Sequence, residues 1–264
     1  RPMKALPDTN AAVTAQDVTV AYGSRVIQSR LSFTIRKGDI FIIMGGSGCG
    51  KSSLLRVLMG LTPPAAGTVY YGQTDFWGVS SAERESIMRR TGVMFQSGAL
   101  WTSRTLAENV ALPLEYYTDL SPKDIRALAS FKLSLVGLAG FEDFYPSEIS
   151  GGMKKRAGLA RALALDPDIV YFDEPSAGLD PVSAARLDDL ILQLRDTLGM
   201  TVVVVTHELA SIFAIASNGI YLDVRTRRVT ARGNPSELVR DPHTELQALR
   251  FLTRGEAGGP QQQD

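Results

Sequence analysis

Residues 45–52 read Gly45-Gly46-Ser47-Gly48-Cys49-Gly50-Lys51-Ser52 and fit the pattern G-x-x-x-x-G-K-[ST]. Its glycines let the backbone fold tightly around phosphate oxygens and present N–H groups to them. The apolar run Ile40–Met44 predicts a buried strand before this stretch, and the spacing of apolar residues after it predicts a helix. A loop at a helix N-terminus lies where the macrodipole favours negative charge. The stretch therefore predicts a nucleotide-phosphate site, in which Lys51 reaches the β- and γ-phosphates and the Ser52 hydroxyl binds Mg²⁺.

A second apolar segment ends in two carboxylates. Ile169–Phe172 is followed directly by Asp173 and Glu174. Such a pair is often only a solvated turn, but the phosphate loop upstream favours a catalytic interpretation. In that setting Asp173 holds Mg²⁺, usually through water, and Glu174 orients or deprotonates the attacking water.

The rest of the chain predicts an α/β fold. Alternating apolar residues predict half-buried antiparallel strands, first on Val18, Val20 and Tyr22 and then on Leu31, Phe33 and Ile35. Three runs are apolar on both faces, which is typical of central parallel strands covered by helices. These runs are Ile40–Met44, Asp168–Phe172 and Thr201–Thr206. The segment from about 97 to 165 has no such run and predicts a helical insertion in the α/β core.

A Ser-Gly-Gly sequence lies upstream of the carboxylate pair. Ser150-Gly151-Gly152-Met153-Lys154 precedes a helical run, which Ser150 is suited to cap while the two glycines leave N–H groups open to a phosphate. Here the chain resembles the ABC ATPases, whose signature sequence begins Ser-Gly-Gly. Met153 stands where Gln or Glu is common in that family. In the family the signature binds the γ-phosphate of the nucleotide on the opposite subunit, so the resemblance implies composite sites built from two copies of the chain.

Further positions match the ABC ATPases in order along the chain. Gln96 matches the Q-loop glutamine, which contacts Mg²⁺ and the attacking water, and Asp180 matches the D-loop, which crosses the dimer interface. His207 matches the switch histidine, which touches the γ-phosphate. Tyr22 stands where an aromatic ring often stacks on adenine, although strand packing also explains it.

Motif and resemblance together imply ATP and Mg²⁺ as cofactors. The implied ATP-contacting residues are Tyr22, Gly45, Gly46, Ser47, Gly48, Cys49, Gly50, Lys51, Ser52, Ser53, Ser150, Gly151, Gly152 and Asp180. The implied Mg²⁺ ligands are Ser52, Gln96 and Asp173. The implied catalytic residues are Lys51, Gln96, Glu174 and His207.

The resemblance also implies a domain organisation. It predicts a P-loop NTPase (RecA-like) core with an antiparallel β subdomain and an inserted helical subdomain at about 97–165. The ABC ATPase domain is predicted to span 13–240, after a flexible N-terminus at 1–12. Leu246, Leu249 and Leu252 predict a short amphipathic helix in a C-terminal extension at 241–254, which packs on its own domain or reaches across to a partner. Residues 255–264 are predicted to be disordered because they have almost nothing to bury.

Four segments resemble a narrower group. Residues 95–101 and 106–114, the signature at 150–156 and the late segment at 249–252 are similar to the ATPase subunits of Mla/Mce-type transporters, which move phospholipids or related lipids across the bacterial envelope. The resemblance implies multispan membrane permease subunits and an Mce-domain lipid-binding protein as partners. Because no run approaches the roughly 20 consecutive apolar residues of a membrane span, we expect a peripheral location at the cytoplasmic face of the inner membrane, held through those partners.

Two other classes of function stay open. One is the ATPase subunit of a small-solute importer with similar loops, and the other is a soluble, non-transport ABC ATPase. Chromosome-associated relatives carry long heptad coiled coils, which this chain lacks. The balance of 28 Lys+Arg against 28 Asp+Glu also argues against nucleic acid as a partner.

The single cysteine, Cys49, excludes an internal disulfide and fits a reducing setting. We favour its interpretation as a small residue that fills a variable loop position. The alternative is a thiol made reactive by its place at a helix N-terminus. That alternative predicts that a thiol reagent inactivates the enzyme and that Mg-ATP protects it.

Overall fold

The computed structural model describes residues 8–96 and 98–254, which fall into two compact units. The first unit comprises the chain up to residue 80 and from residue 204 onward, and the second comprises residues 81–203. Within 8–96 and 98–254, every helix falls short of the length and hydropathy that a membrane span requires. The predicted disordered tail at 255–264 lies outside the described residues.

Strands and helices alternate along much of the chain. They are β1 (Ala11–Tyr22), β2 (Arg25–Arg36), β3 (Ile40–Met44), α1 (Lys51–Leu58), β4 (Ala66–Tyr71), β5 (Thr74–Asp75), α2 (Ser81–Met88), β6 (Thr91–Met94), α3 (Leu106–Tyr117), α4 (Pro122–Leu135), α5 (Gly151–Ala162), β7 (Ile169–Asp173), α6 (Pro181–Leu198), β8 (Thr201–Val205), α7 (Leu209–Ile215), β9 (Asn218–Asp223), β10 (Arg228–Arg232), α8 (Pro235–Leu238) and α9 (Leu246–Arg254). One turn of 3-10 helix precedes α5, at Pro146–Glu148.

The first unit contains the predicted antiparallel strands. Their order is β2-β1-β4-β5, with each neighbouring pair antiparallel. β1 begins at Ala11, two residues before the predicted start of the domain. In the same unit β3 pairs in parallel with β9, and β10 pairs antiparallel with β9. All five residues of β3 are buried, as the continuous apolar run predicted.

The second unit combines parallel strands with packed helices. β6 pairs in parallel with β7, and β8, whose residues 201–203 belong to this unit, follows on the other side of β7. β8 is buried throughout and β7 is buried up to Phe172, which confirms both predicted central strands. The described residues between 97 and 165 form helices and no strand, as predicted, and α3, α4 and α5 pack on one another.

A buried amide holds the loop that leads into α3. Asn109 is fully buried, and its Nδ2 donates to the backbone oxygens of Trp101 and Arg104 at 3.0 and 3.1 Å. Its Oδ1 accepts from the Trp101 backbone N–H at 2.7 Å. The indole of Trp101 is 58% exposed. The backbone at Trp101 is thus fixed from inside while its side chain stays at the surface.

The helix α9 forms where the leucine spacing predicted it. Ala248, Phe251 and Leu252 are buried, whereas Leu246 is 54% exposed. The Phe251 ring lies 5.5 Å from the Tyr221 ring of β9, centroid to centroid. Of the two arrangements that the leucine spacing left open, α9 therefore packs on its own domain, and alanine and phenylalanine contribute to the contact beside Leu252.

Candidate functional site

The glycine-rich loop at 45–50 lies between β3 and α1 in the first unit. Gly45, Gly48 and Gly50 have φ angles of 152°, 72° and 98°. A Cβ atom on Gly45 would lie 2.5 Å from Cys49 Sγ, and one on Gly50 would lie 2.5 Å from Ile27 Cγ2. Because neither position has room for a side chain, the glycine pattern is dictated by the backbone path. The loop is a cradle that a phosphate fits, at the N-terminus of a helix.

Lys51 and Ser52 occupy the first turn of α1. Nζ of Lys51 donates to the carbonyl oxygens of Gly45 and Gly46 at 2.6 and 3.1 Å, so its ammonium lies against the loop. Ser52 is exposed at the same helix end. The Lys51 ammonium, the Ser52 hydroxyl and the glycine-rich loop therefore lie together at the N-terminal end of α1.

A buried glutamine, which the sequence did not indicate, is hydrogen-bonded to the glycine-rich loop. Gln28 of β2 is fully buried, and its Nε2 donates to the carbonyl oxygens of Cys49 and Asp223 at 2.8 and 3.2 Å. The amide therefore joins the loop to the end of β9. Because Gln28 is followed by Ser29 and Arg30 in a strand of mixed polarity, the sequence gives no signal of its burial or of its partners.

Two of the other predicted nucleotide contacts lie together in the first unit. The Tyr22 hydroxyl lies 3.1 Å from the Ser53 hydroxyl of α1, and 55% of Tyr22 is exposed. Its ring is therefore available for stacking beside the phosphate loop. His207 follows the end of β8 by two residues and is exposed, with Nε2 3.7 Å from a Glu208 carboxylate oxygen.

Cys49 is buried, with 1% of its surface exposed. Its sulfur occupies the space beside Gly45, because a Cβ atom placed on Gly45 would lie only 2.5 Å from it. Reactive thiols are at least partly exposed. The structure therefore favours the small loop-filling residue over the reactive thiol.

We expect a chromogenic thiol reagent to leave the folded protein unlabelled and to label one cysteine per chain after denaturation. The reason is that the sulfur is enclosed by the loop it belongs to. Reagent absorbance and residual ATPase turnover, measured together with and without denaturant, check this expectation. Rapid native labelling that abolishes turnover and is blocked by Mg-ATP would contradict it and restore the reactive-thiol interpretation.

The two carboxylates lie in the second unit, at the end of β7. Asp173 is the last residue of the strand, and both side chains are half-buried. Glu174 has a φ angle of 50°. A non-glycine residue in this region costs about 1–3 kcal/mol and persists where the surroundings enforce it, most often at functional sites. The backbone thus turns sharply to present Glu174.

The signature and the predicted D-loop residue are neighbours in the second unit. Ser150 caps α5, its hydroxyl accepting from the Met153 N–H at 3.3 Å. Asp180 caps α6, and hydrogen bonds from Ser183 lower the pKa of its carboxyl. A Cβ atom on Gly152 would lie 3.8 Å from Ser183. The N-terminus of α5, with its two glycines, and the N-terminus of α6 are therefore side by side, an arrangement suited to an anion.

A groove of about 570 Å³ opens beside the signature, between the end of α4, the start of α5 and α6. Arg156 and Arg186 line it. Nη1 of Arg156 donates to the carbonyl oxygens of Val136 and Gly137 at 3.2 Å each, which fixes the guanidinium at the end of α4. Burial, and then the charge of Arg186, lower the pKa of Arg156.

Gln96 lies two residues beyond the end of β6 and is exposed. Its backbone oxygen accepts a hydrogen bond from Nζ of Lys155 on α5. Lys155 is 7% exposed, and burial lowers its pKa while the carboxylate of Glu174 raises it. Gln96 and Glu174 belong to the same unit, and nothing in the sequence indicated that a buried lysine interacts with both.

Comparisons with known proteins agree with this geometry. Residues 28–177 match the family described as ABC transporter. The intermembrane phospholipid transport system ATP-binding protein MlaF of Haemophilus influenzae is 38% identical over 248 residues, which is 94% of this chain and 92% of that protein. The probable ribonucleotide transport ATP-binding protein mkl of Mycobacterium tuberculosis is 42% identical over 198 residues, 75% of this chain and 55% of that protein.

A solved structure shares the fold. It is a dimeric ATP-binding cassette in a post-hydrolysis state, bound to ADP and Pi, with a TM-score of 0.75 and 31% identity over 84% of this chain and 98% of that one. The phosphate loop, the carboxylate-ended strand and the Ser-Gly-Gly helix fit a nucleotide-hydrolysing cassette. The chain belongs to the ABC transporter family and is an ATPase of that family.

Proposed function

We propose that this chain hydrolyses Mg-ATP to drive phospholipid or related lipid transport across the bacterial envelope. The observation that carries the proposal is the 38% identity to MlaF over 94% of the chain. The loop at 95–101 and the Ser-Gly-Gly-Met form of the signature support the same cargo class.

The proposed assembly has two copies of the chain facing each other. It also has multispan permease subunits and an Mce-domain lipid-binding protein, with the ATPase at the cytoplasmic face of the inner membrane. The similar solved cassette is a dimer, which supports the pairing. The neighbouring N-termini of α5 and α6 support a role for the signature, Ser150 to Gly152, in binding the γ-phosphate of the partner's nucleotide.

Mg²⁺ fits the oxygen donors of this chain. The proposed ligands are the Ser52 hydroxyl, the Gln96 amide oxygen and the Asp173 carboxylate, all hard donors. Among residues 8–96 and 98–254, no group of three or more His, Cys, Asp or Glu could hold a metal by itself. An ion bound mainly through nucleotide phosphates, with few protein ligands, is the usual arrangement for Mg²⁺.

The roles proposed for the remaining residues follow from their positions. Lys51 neutralises the β- and γ-phosphates, and Tyr22 stacks on adenine. Glu174 accepts a proton from the attacking water or orients it, with Gln96 beside that water. His207 and Asp180 act at the γ-phosphate and across the dimer interface, respectively.

Affinity purification tests the cargo. The tagged chain is isolated from detergent-solubilised membranes, and co-purifying proteins and lipids are identified by mass spectrometry, with an untagged strain as control. A multispan permease, an Mce-domain protein and enriched phospholipid are expected. A permease with a soluble solute-binding protein and no lipid enrichment would overturn the cargo in favour of a small-solute importer. A partner set without membrane proteins would favour a non-transport ATPase.

A further inference from the structure

One face of α5 contacts the loop that carries Gln96. Lys155, Gly158 and Arg161 are spaced by three and therefore lie on the same side of the helix. Lys155 donates to the Gln96 carbonyl. A Cβ atom on Gly158 would lie 3.2 Å from both Cα and O of Gly98, so the loop touches the helix backbone there.

Arg161 completes this contact. Its Nη2 donates to the Gly98 carbonyl and its Nη1 to the Ala99 carbonyl, both at 2.8 Å. Ala99 has a φ angle of 47°, so the guanidinium binds the loop at a left-handed backbone conformation that non-glycine residues rarely adopt. Burial lowers the pKa of Arg161, because a cation that loses part of its hydration is disfavoured relative to its neutral form.

Lys155 differs from an ordinary packing residue. It is 7% exposed although lysine is among the residues least often buried, and its neighbours Ala157 and Leu159 are fully buried apolar side chains. A buried ammonium is tolerated only with partners that compensate its lost hydration. The Gln96 carbonyl is such a partner, and the negative charge of Glu174 also favours the ammonium by raising its pKa.

We propose that Lys155 is a positioning residue for ATP hydrolysis. Its buried ammonium holds the Gln96 backbone in place through the hydrogen bond to its carbonyl oxygen. Because α5 begins at the signature, the same rigid helix connects the signature to the loop of Gln96. This proposal rests on the roles proposed above for Gln96 and Glu174.

The test replaces Lys155 with methionine, which keeps the side-chain length and removes the ammonium, in the full-length chain. Turnover is expected to fall about tenfold to a hundredfold. The KM for ATP stays within about twofold, because Gln96, which Lys155 contacts, is a predicted Mg²⁺ ligand and catalytic residue rather than a predicted ATP contact. Lys155→Arg restores most of the turnover. Lys123→Met, the same exchange on the exposed face of α4, leaves turnover unchanged.

A double-mutant cycle separates positioning from general damage. If Lys155 acts through Gln96, the Gln96→Ala/Lys155→Met double variant loses less than the product of the two single losses. Turnover of Lys155→Met within twofold of wild type, a matching rise in KM, or losses that multiply would each overturn the inference. If Lys155→Met keeps its turnover while Glu174→Gln is inactive, the inference alone fails. If Glu174→Gln also keeps its turnover, the proposed roles fail with it.

Discussion

Replacement of Glu174 with glutamine is expected to lower Mg-ATP turnover by about a hundredfold to ten-thousandfold. Glutamine keeps the shape of the side chain but cannot accept the proton of the attacking water. ATP binding is expected to persist, because the substitution leaves the phosphate loop and Lys51 unchanged. Without hydrolysis, the variant should accumulate as a closed dimer in the presence of Mg-ATP.

Single-turnover kinetics and size-exclusion chromatography with and without Mg-ATP measure the two effects. Glu85→Gln is the matched control, since Glu85 is an exposed partner of Arg89 on α2 and such pairs contribute little. Wild-type turnover in Glu174→Gln would show that another group activates the water.

Lys51→Ala is expected to weaken ATP binding by at least about a hundredfold and to remove nearly all hydrolysis. The Lys51 ammonium, which is hydrogen-bonded to the Gly45 and Gly46 carbonyls, is the cation that the loop holds beside the predicted phosphate position. Charge-assisted hydrogen bonds contribute about 1.5–3 kcal/mol each. The loss of two such bonds to phosphate oxygens therefore accounts for the expected loss of ATP affinity.

Isothermal titration calorimetry with ATP and Mg²⁺ checks this expectation, with Lys37→Ala as the control because Lys37 lies exposed in the turn before β3. Unaltered affinity in Lys51→Ala would mean that phosphate binds elsewhere than the loop at 45–52.

The phosphate loop was predictable because its geometry is local. Gly45 and Gly50 leave no room for a Cβ atom, and the strand and helix on either side have their own apolar patterns. The carboxylate-ended strand and the cap of α5 were predictable for the same reason. A pattern within ten residues is enough to specify each of them.

Long-range contacts were not predictable. Lys155 and Gln96 are 59 residues apart, and Gln28 and Asp223 are 195 apart. A lysine in a polar signature segment predicts exposure, and only the packing of α5 on the loop reveals its burial. The contact of α9 with Tyr221 was not predictable either, because the position of Tyr221 is not encoded near the helix.

The chain has two tryptophans, and each compact unit contains one, Trp77 in the first and Trp101 in the second. In a Trp77→Phe variant the tryptophan fluorescence would therefore come from the second unit alone. The remaining indole, that of Trp101, is exposed and lies two residues beyond Ala99, on a backbone that is hydrogen-bonded to Asn109. The loop that carries Gln96 thus has a native optical reporter, and its response to nucleotide can be followed in unlabelled protein on the timescale of a single turnover.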